Sequence, residues 1–318
     1  MIETSELTKV FGGLKAVDHL SLKVQEGEIF GLLGPNGAGK TTFISMLCTL
    51  LTPTSGTVIV GGYDVQKNPD KVKKSIGVVF QGQSLDDRLT GRENLQIQAV
   101  LYGMPKKIRE KRIGEVLDFV GLKDRGNAIV KTYSGGMRRR LEIARGLIHR
   151  PRILLLDEPT LGLDPQGRED IWRHIEELED ITVFLATNYM DEADRLCDRV
   201  GIINDGKLIV EGTPQELKDE LEGTIIYIRA KNLNEIFSDL QTLDFVNDAK
   251  IRDDMIVLTI KDKIDEKFIR FLNKHTFESV DFHKPTLNDV FLKYVGRGLE
   301  SPETDKPKRG RGKRRGMQ

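Results

Sequence analysis

A chain of 318 residues with 38% hydrophobic and 31% charged residues has the composition of a folded globular protein, not of a disordered or membrane-embedded one. Its longest apolar runs, at residues 29–33 and 153–156, are far shorter than the ~18 residues that indicate a membrane-spanning helix. The N-terminal segment lacks the apolar core of a signal peptide. We therefore expect a cytoplasmic protein in which Cys48 and Cys197 are buried, reduced thiols.

The predicted elements change character along the chain. Residues 1 to about 80 alternate short β-branched runs with turns and predict strands, except for 41–51, whose apolar residues have helical spacing. Residues 90–149 are mostly helical in pattern and predict a helical insertion. From residue 151 onward, continuously apolar strands alternate with helices. This alternation predicts an α/β fold with a largely parallel sheet that helices cover on both faces.

A second unit begins near residue 223. Its predicted order is strand, helix, two strands, helix, strand and a final helix over 286–296. The βαββαβ succession is typical of a small ferredoxin-like α+β domain. The expected domains are a first α/β domain over 1–222 with a helical subdomain at about 85–150, an accessory domain over 223–296 and a disordered basic tail over 297–318.

The net charge of zero hides an uneven distribution. Residues 297–318 contain eight Lys or Arg against three Asp or Glu, so the tail has five excess positive charges and the remainder has five excess negative charges. A solvated terminus is one interpretation. Contact with anionic lipid headgroups is another, because each Lys or Arg near a membrane surface contributes ~1 kcal/mol. Vesicle flotation with and without residues 300–318, over a series of salt concentrations, distinguishes the two; salt-insensitive, tail-independent binding excludes the lipid contact.

The sequence GPNGAGKT satisfies the phosphate-loop pattern G-x-x-x-x-G-K-[ST], directly after a predicted strand and before a predicted helix. Its glycines let main-chain N–H groups converge on phosphate oxygens at a helix N-terminus. Lys40 is expected to reach the β and γ phosphates, the Thr41 hydroxyl to bind Mg²⁺ and Thr42 to donate to the α phosphate. The expected ATP-binding residues are Gly34, Pro35, Asn36, Gly37, Ala38, Gly39, Lys40, Thr41 and Thr42.

A pair of carboxylates follows the apolar strand ILLLD. In a parallel sheet, Asp157 and Glu158 lie at the carboxyl end of that strand, beside the phosphate loop. Asp157 is expected to hold Mg²⁺ through water, and Glu158 to polarise the attacking water as a general base, which contributes ~10²–10⁴ in rate. The alternative is that Asp-Glu-Pro only caps the next helix.

Several motifs in a fixed order resemble those of the ATP-binding cassette (ABC) ATPases. The resemblance covers residues 1 to about 220. It rests on GPNGAGKT, a glutamine after a strand at Gln81, YSGGM at 133–137, LLLDEP at 154–159, GLD at 162–164 and a switch segment at 187–190.

The resemblance assigns further roles around the nucleotide. Phe11 looks like the aromatic residue that stacks on adenine, with Val17 nearby; the alternative for Phe11 is an ordinary core aromatic. Gln81 resembles the residue that touches Mg²⁺ and relays closure to a membrane partner, although Gln83 is close enough to take this role.

Other motifs resemble those that complete a second site across a dimer. Ser134, Gly135 and Gly136 resemble the signature that contacts the γ phosphate of the opposite subunit, and Asp164 the residue that crosses the interface. Met137 stands where the family usually has glutamine, which removes an amide from the edge of the site. We expect the run Arg138–Arg140 to be a solvated helix face, with added charge at the site as the alternative.

One residue departs from the family in a way that bears on chemistry. In most members a histidine follows the strand that corresponds to ITVFLAT and bonds to the γ phosphate, and this chain has Asn188 there. An asparagine amide donates a hydrogen bond but cannot become cationic. We expect ATP binding to persist and hydrolysis to slow ~10²-fold, as when one positioned donor is removed.

The motif sequences of the chain most resemble those of the ATP-binding subunits of exporters of the daunorubicin-resistance type, over residues 1 to about 298. This resemblance implies a transport-coupled ATPase, peripheral on the inner face of the cell membrane and docked on a separate permease near Gln81 and residues 84–94. Either a homodimer or a heterodimer with a second cassette fits. The alternative is a soluble cassette ATPase that acts on ribosomes or nucleic acid through the basic tail.

Overall fold

The structure is a computed structural model. Gln83, residue 222 at the predicted domain boundary and the basic tail 297–318 lie outside the residues that it describes. The described residues are 1–82, 84–221, 223–240, 243, 246–252, 254–260 and 266–296.

The first third of the chain is mostly strands, as its pattern predicts. Its elements are β1 (Ile2–Phe11), β2 (Leu14–Val24), β3 (Ile29–Leu33), α1 (Lys40–Leu47), β4 (Ser55–Val60), β5 (Tyr63–Asp64), α2 (Pro69–Ser75) and β6 (Ile76–Val79). The pattern does not predict α2, because this helix buries only Val72 and so lacks an apolar stripe.

The middle of the chain contains the predicted helical insertion and then alternates strands with helices. Its elements are α3 (Gly91–Leu101), α4 (Lys106–Phe119), two 3₁₀ turns (Lys123–Arg125 and Val130–Thr132), α5 (Gly135–Leu147), β7 (Ile153–Asp157), α6 (Pro165–Glu176), β8 (Thr182–Thr187), α7 (Met190–Leu196), β9 (Arg199–Asn204), β10 (Lys207–Gly212) and α8 (Pro214–Asp219).

A six-stranded sheet forms the centre of this unit, with the order β10-β9-β3-β8-β7-β6. From β9 to β6 every neighbouring pair is parallel, and only the edge strand β10 is antiparallel. The prediction of a largely parallel sheet is therefore confirmed. The carboxyl ends of β3, β7 and β8 meet at one edge, so the segments after Leu33, Asp157 and Thr187 come together.

A second, antiparallel sheet with the order β2-β1-β4-β5 packs against the central unit through α1. Their shared core includes Phe30, Phe43 and Phe184, and the rings of Phe30 and Phe184 stack with centroids 5.8 Å apart. Cys48 and Cys197 are buried free thiols, as expected. This core fixes the start of α1, and with it the phosphate loop, against the sheet.

The last unit has the predicted βαββαβ order and a final helix. Its elements are β11 (Thr224–Arg229), α9 (Leu233–Leu240), β12 (Val246–Arg252), β13 (Met255–Ile260), α10 (Glu266–Lys274), β14 (Ser279–His283) and α11 (Leu287–Val295). Its antiparallel sheet has the order β12-β13-β11-β14. The helix α11 packs on α7 and α8, where Leu287 and Phe291 join the core of the first unit. No helix in the described part of the chain is long and apolar enough to cross a membrane.

Candidate nucleotide site

The phosphate loop connects β3 to α1, and close packing of its main chain explains two of its glycines. A Cβ atom at Gly34 would lie 2.4 Å from the Ile203 carbonyl oxygen. At Gly39, φ is 107° and a Cβ atom would lie 2.3 Å from the Ala16 carbonyl oxygen. Any side chain at these positions would push the loop away from its supports. The loop therefore delivers its N–H groups to the start of α1, where anions bind.

Lys40 is buried at the first position of α1 and points back along the loop. Its Nζ donates to the carbonyl oxygens of Gly34 at 2.7 Å and Pro35 at 3.1 Å, and lies 3.5 Å from Glu158 Oε1. Burial lowers the pKa of Lys40, and the nearby Glu158 and Asp157 carboxylates oppose that shift. The ammonium group is thus held between the carbonyl oxygens of the loop and the Glu158 carboxylate.

Thr41 and Asp157 offer the oxygen ligands that Mg²⁺ prefers. The Thr41 hydroxyl donates to Asp157 Oδ2 at 2.8 Å, while the buried Oδ1 has no hydrogen-bond partner among the described residues. Burial raises the pKa of Asp157. The described residues contain no group of three or more His, Cys, Asp or Glu that could hold a metal by itself. The pair therefore suits Mg²⁺, which typically uses one or two protein ligands together with substrate phosphates.

Glu158 lies one residue beyond β7, in a backbone conformation that few residues adopt. Its φ is 48°, and its main-chain N–H donates to the Ala186 carbonyl on the neighbouring strand at 2.8 Å. The Gln81 amide donates to Glu158 Oε2 at 3.2 Å. The carboxylate thus lies between Lys40 and Gln81. The structure brings together the residues that the sequence assigns to catalysis and Mg²⁺ binding on this side of the sheet.

The two residues predicted to contact adenine differ in exposure. Phe11 is 47% exposed, with Lys9 Nζ 5.1 Å from its ring centroid, so it is not a core aromatic. Val17 is fully buried in the core beneath the antiparallel sheet. Its side chain cannot offer a surface to a nucleotide base, and the prediction for Val17 is wrong. Its neighbour Ala16 is partly exposed.

The residues predicted to act on the opposite subunit form a second group, at the N-termini of α5 and α6. Ser134 caps α5 by accepting from Met137 N at 3.2 Å, and Asp164 caps α6 by accepting from Gly167 N at 2.7 Å. A Cβ atom at Gly136 would lie 4.0 Å from Gly167 Cα, so the two helix starts are adjacent and open. This arrangement presents exposed main-chain N–H groups and a hydroxyl on one surface.

Asn188 follows β8 directly, on the strand next to the one that carries Glu158. Its amide oxygen is buried and has no hydrogen-bond partner among the described residues. The segment beyond it turns sharply, because Tyr189 N donates back to the Thr187 hydroxyl at 3.0 Å. The Tyr189 ring stacks on the Arg168 guanidinium at 4.5 Å. The main chain on both sides of Asn188 is therefore fixed, while its amide oxygen is unpaired.

Known proteins match this chain along most of its length. Residues 17–161 match the family described as ABC transporter, and residues 212–295 match the C-terminal domain of DrrA1-3-like ATP-binding proteins. The daunorubicin/doxorubicin resistance ATP-binding protein DrrA of Streptomyces peucetius is 40% identical over 96% of this chain and 95% of its own. The chain belongs to the family of ABC transporter ATP-binding proteins.

Other relatives and solved structures agree with this assignment. The linearmycin resistance ATP-binding protein LnrL of Bacillus subtilis is 38% identical over 94% of this chain and 99% of its own. An ATP-binding cassette solved as a dimer in a post-hydrolysis state with ADP and Pi has a TM-score of 0.61 and 29% identity, over 67% of this chain and 98% of its own. This ABC protein is an ATPase whose hydrolysis of ATP is coupled to transport.

The structure of this ABC protein corrects the expectation of a solvated arginine run on α5. Arg139 is only 8% exposed, and its guanidinium lies under the turn that carries Asp157 and Glu158. The adjacent residues Arg138 and Arg140 have other partners. Arg138 pairs with Asp87, and Arg140 donates to the Val120 carbonyl at 3.2 Å. The sequence does contain a signal, because Arg139 is four residues before the buried Ile143 and so lies on the apolar face of α5.

Glu192 is a second residue that the sequence analysis did not identify. It is fully buried on α7, where its Oε1 accepts from the Thr160 hydroxyl at 2.8 Å and from Trp172 Nε1 at 3.0 Å. Burial raises the pKa of Glu192. The residue links the turn after Glu158 to the helix that follows Asn188. Its position four residues before the buried Leu196 indicates an inward-facing side chain.

Proposed function

We propose that this ABC ATPase drives an exporter, working at the inner face of the cell membrane on a separate permease. The names of its relatives support this function. They include resistance proteins for daunorubicin, doxorubicin and linearmycin, and a Nod factor export protein of Cupriavidus metallidurans that is 38% identical over 94% of this chain. These names differ in the transported molecule, so we assign substrate choice to the permease.

We propose further that two cassettes close around ATP. Ser134, Gly135 and Gly136 lie at the start of α5, a helix of 13 residues, where N–H groups and the helix dipole favour an anion. Asp164 lies at the adjacent helix start. This surface completes a phosphate site if a second cassette presents its own phosphate loop to it, and a dimeric relative in the solved structures supports that arrangement.

The proposed chemistry divides among the residues at the sheet edge. The phosphate loop and Lys40 bind the phosphates, and Phe11 provides an exposed ring for adenine. Glu158 orients and deprotonates the attacking water, with Gln81 fixing one carboxylate oxygen. Mg²⁺ at Thr41 and Asp157 would neutralise charge on the β and γ phosphates. The observation that carries this assignment is the convergence of Lys40 and Gln81 on the two oxygens of Glu158.

Asn188 is proposed to limit hydrolysis without limiting ATP binding. It directly follows β8, the strand that pairs with the one that precedes Glu158, and its amide remains neutral. A cationic donor gains strength as negative charge develops in the transition state, whereas a neutral amide gains less. ATP binding is proposed to depend mainly on the phosphate loop and Lys40.

The test compares single-turnover ATP hydrolysis by the purified full chain with that of Asn188→His and Asn188→Ala. We expect the His variant to hydrolyse ATP ~10–10²-fold faster and the Ala variant to be no faster than the wild type. ATP affinity should stay within ~3-fold in all three proteins, because the change is confined to the transition state. Equal rates for the wild type and Asn188→His would show that Asn188 does not limit chemistry.

The same residue bears on assembly. A homodimer has Asn188 at both sites, whereas a heterodimer with a second cassette that carries histidine has one ordinary site. We propose the heterodimer. Its test mixes this chain, in the presence of ATP, with a cassette of the same family that carries histidine at this position. Faster hydrolysis by the mixture than by either protein alone supports it, and additive rates contradict it.

A further inference from the structure

The Arg139 guanidinium is fully committed to main-chain and side-chain acceptors. A guanidinium has five N–H groups, and every one of them has a partner here. Each distance lies between 2.6 and 3.0 Å. The acceptors are the carbonyl oxygens of Phe80, Asp157, Glu158 and Pro159 and the Glu142 carboxylate. A buried cation that is satisfied in this way fixes the groups around it instead of being free to move.

Three of these acceptors belong to one turn, and that turn has a strained centre. Glu158 has φ of 48°, a left-handed conformation that a residue other than glycine keeps only when its surroundings impose it. Arg139 donates to the carbonyl oxygen of Glu158 and to those of its two neighbours. The direction of the Glu158 side chain follows from this backbone. Arg139 therefore holds the conformation that aims the carboxylate at Lys40 and Gln81.

The other contacts of Arg139 lead toward the segment after Gln81. Arg139 Nη1 donates to the Phe80 carbonyl, one residue before Gln81, and to Glu142 at 2.7 Å. Glu142 in turn accepts from Ser84 N at 3.1 Å. Arg145 on the same helix donates to the Ser84 carbonyl at 2.8 Å. Thus residues of α5 form hydrogen bonds with the main chain before and after Gln81.

We propose that Arg139, supported by Glu142, is a positioning residue for ATP hydrolysis, which sets Glu158 and ties it to the segment around Gln81 through α5. This inference rests on the proposed role of Glu158 as the general base. The same helix begins at Ser134 and Gly135, which are proposed to contact the nucleotide of the opposite subunit. A displacement of α5 by that contact is therefore transmitted to the backbone of Glu158.

The test uses the full chain and compares Arg139→Lys and Glu142→Gln with Arg140→Lys. A lysine keeps the positive charge but has three N–H groups on one nitrogen and cannot reach five acceptors. We expect Arg139→Lys to lower kcat ~10²-fold, as a misplacement of about 1 Å does, and Glu142→Gln to lower it less. KM and ATP affinity should change by less than ~3-fold. The control Arg140→Lys, in the same run of arginines, should match the wild type.

A double-mutant cycle separates positioning from a general loss of structure. If Arg139 acts through Glu158, the variant that combines Arg139→Lys with Glu158→Gln hydrolyses ATP as slowly as Glu158→Gln alone. Losses that multiply, or a fall in ATP affinity that matches the fall in kcat, would overturn the inference. So would wild-type kcat in Arg139→Lys. If Glu158→Gln itself retains the wild-type rate, the proposed role of Glu158 fails instead, and the two failures are distinguishable.

Discussion

The ends of β7 and β8 lie side by side and differ in how firmly their side chains are held. In the parallel pair, Asp157 is level with Ala186. Beyond β7, Asp157 and Glu158 are contacted by Thr41, Lys40 and Gln81. Beyond β8, the Asn188 amide oxygen has no partner among the described residues. The end of β7 thus carries a network of polar contacts, whereas the end of β8 is followed by an amide oxygen without a partner among the described residues.

Under the proposed mechanism, this difference corresponds to a division in which binding and hydrolysis rest on separate groups. The phosphate loop, Lys40 and Asp157 are proposed to contact the phosphates and Mg²⁺ before any bond breaks, so their contacts are formed in the ground state, whereas Glu158 is proposed to act on the attacking water. Asn188, at the end of β8, is proposed to have its main effect when charge develops on the γ phosphate. Only interactions that strengthen in the transition state raise the rate of the chemical step. A neutral residue at that position is therefore expected to leave ATP binding unchanged.

The largest expected effect comes from Glu158→Gln. Glutamine keeps the shape and the contact with Gln81 but cannot take a proton, so hydrolysis should fall ~10²–10⁴-fold while ATP affinity stays near that of the wild type. Single-turnover hydrolysis and equilibrium ATP binding measure the two separately. The exposed Glu177→Gln is the matched control. A parallel loss of affinity would mean that the network beyond β7 does not separate binding from chemistry.

A smaller effect is expected from Asp157→Asn, on the metal instead of the base. Asparagine keeps an acceptor for Thr41 but loses the charge. Changing a residue that holds a metal through water typically lowers metal affinity ~10–100-fold. ATP affinity is measured in excess Mg²⁺ and in EDTA. We expect the increase in ATP affinity that Mg²⁺ produces to be smaller in Asp157→Asn and unchanged in the exposed control Asp219→Asn. An unchanged increase in Asp157→Asn would place Mg²⁺ elsewhere.

The half of the site beyond β3 and β7 could be predicted from sequence, because local chemistry fixes it. A loop that wraps phosphates needs glycine where the main chain passes within 2.3–2.4 Å of a Cβ position, and two carboxylates at the tip of an apolar strand can only lie at a sheet edge. Each pattern is continuous in sequence, although the atoms that require the glycines belong to Ile203 and Ala16. The patterns are therefore visible without knowledge of the fold.

The errors concern contacts between distant segments. In β2, Leu20, Leu22 and Val24 are buried in strict alternation, but the left-handed His19, with φ of 53°, shifts the buried face so that Val17 points inward. Such an irregularity moves every following side chain to the other face, and the sequence of β2 does not reveal it. Arg139 is buried because its four carbonyl acceptors come from segments 18–59 residues away. Its polarity suggests solvent, and only the fold supplies the carbonyl groups.

The smallest expected effect concerns Glu192, which is buried on α7, the helix that follows Asn188. Because burial raises the pKa of Glu192, the folded protein holds a proton that the unfolded chain releases near the ordinary pKa of 4.5. Stability from this group is therefore complete below that pH and is lost as the pH rises through the folded pKa. Glu192→Gln carries no charge and should be more stable than the wild type at pH 8, on the order of 1 kcal/mol, and equal to it at pH 4. Thermal unfolding of both proteins and of Glu177→Gln over this range measures the difference. Two results would contradict this expectation: a glutamine variant that is less stable than the wild type at pH 8, or a difference in stability that does not vary with pH. Either would mean that the folded protein holds Glu192 as a charged, paired carboxylate.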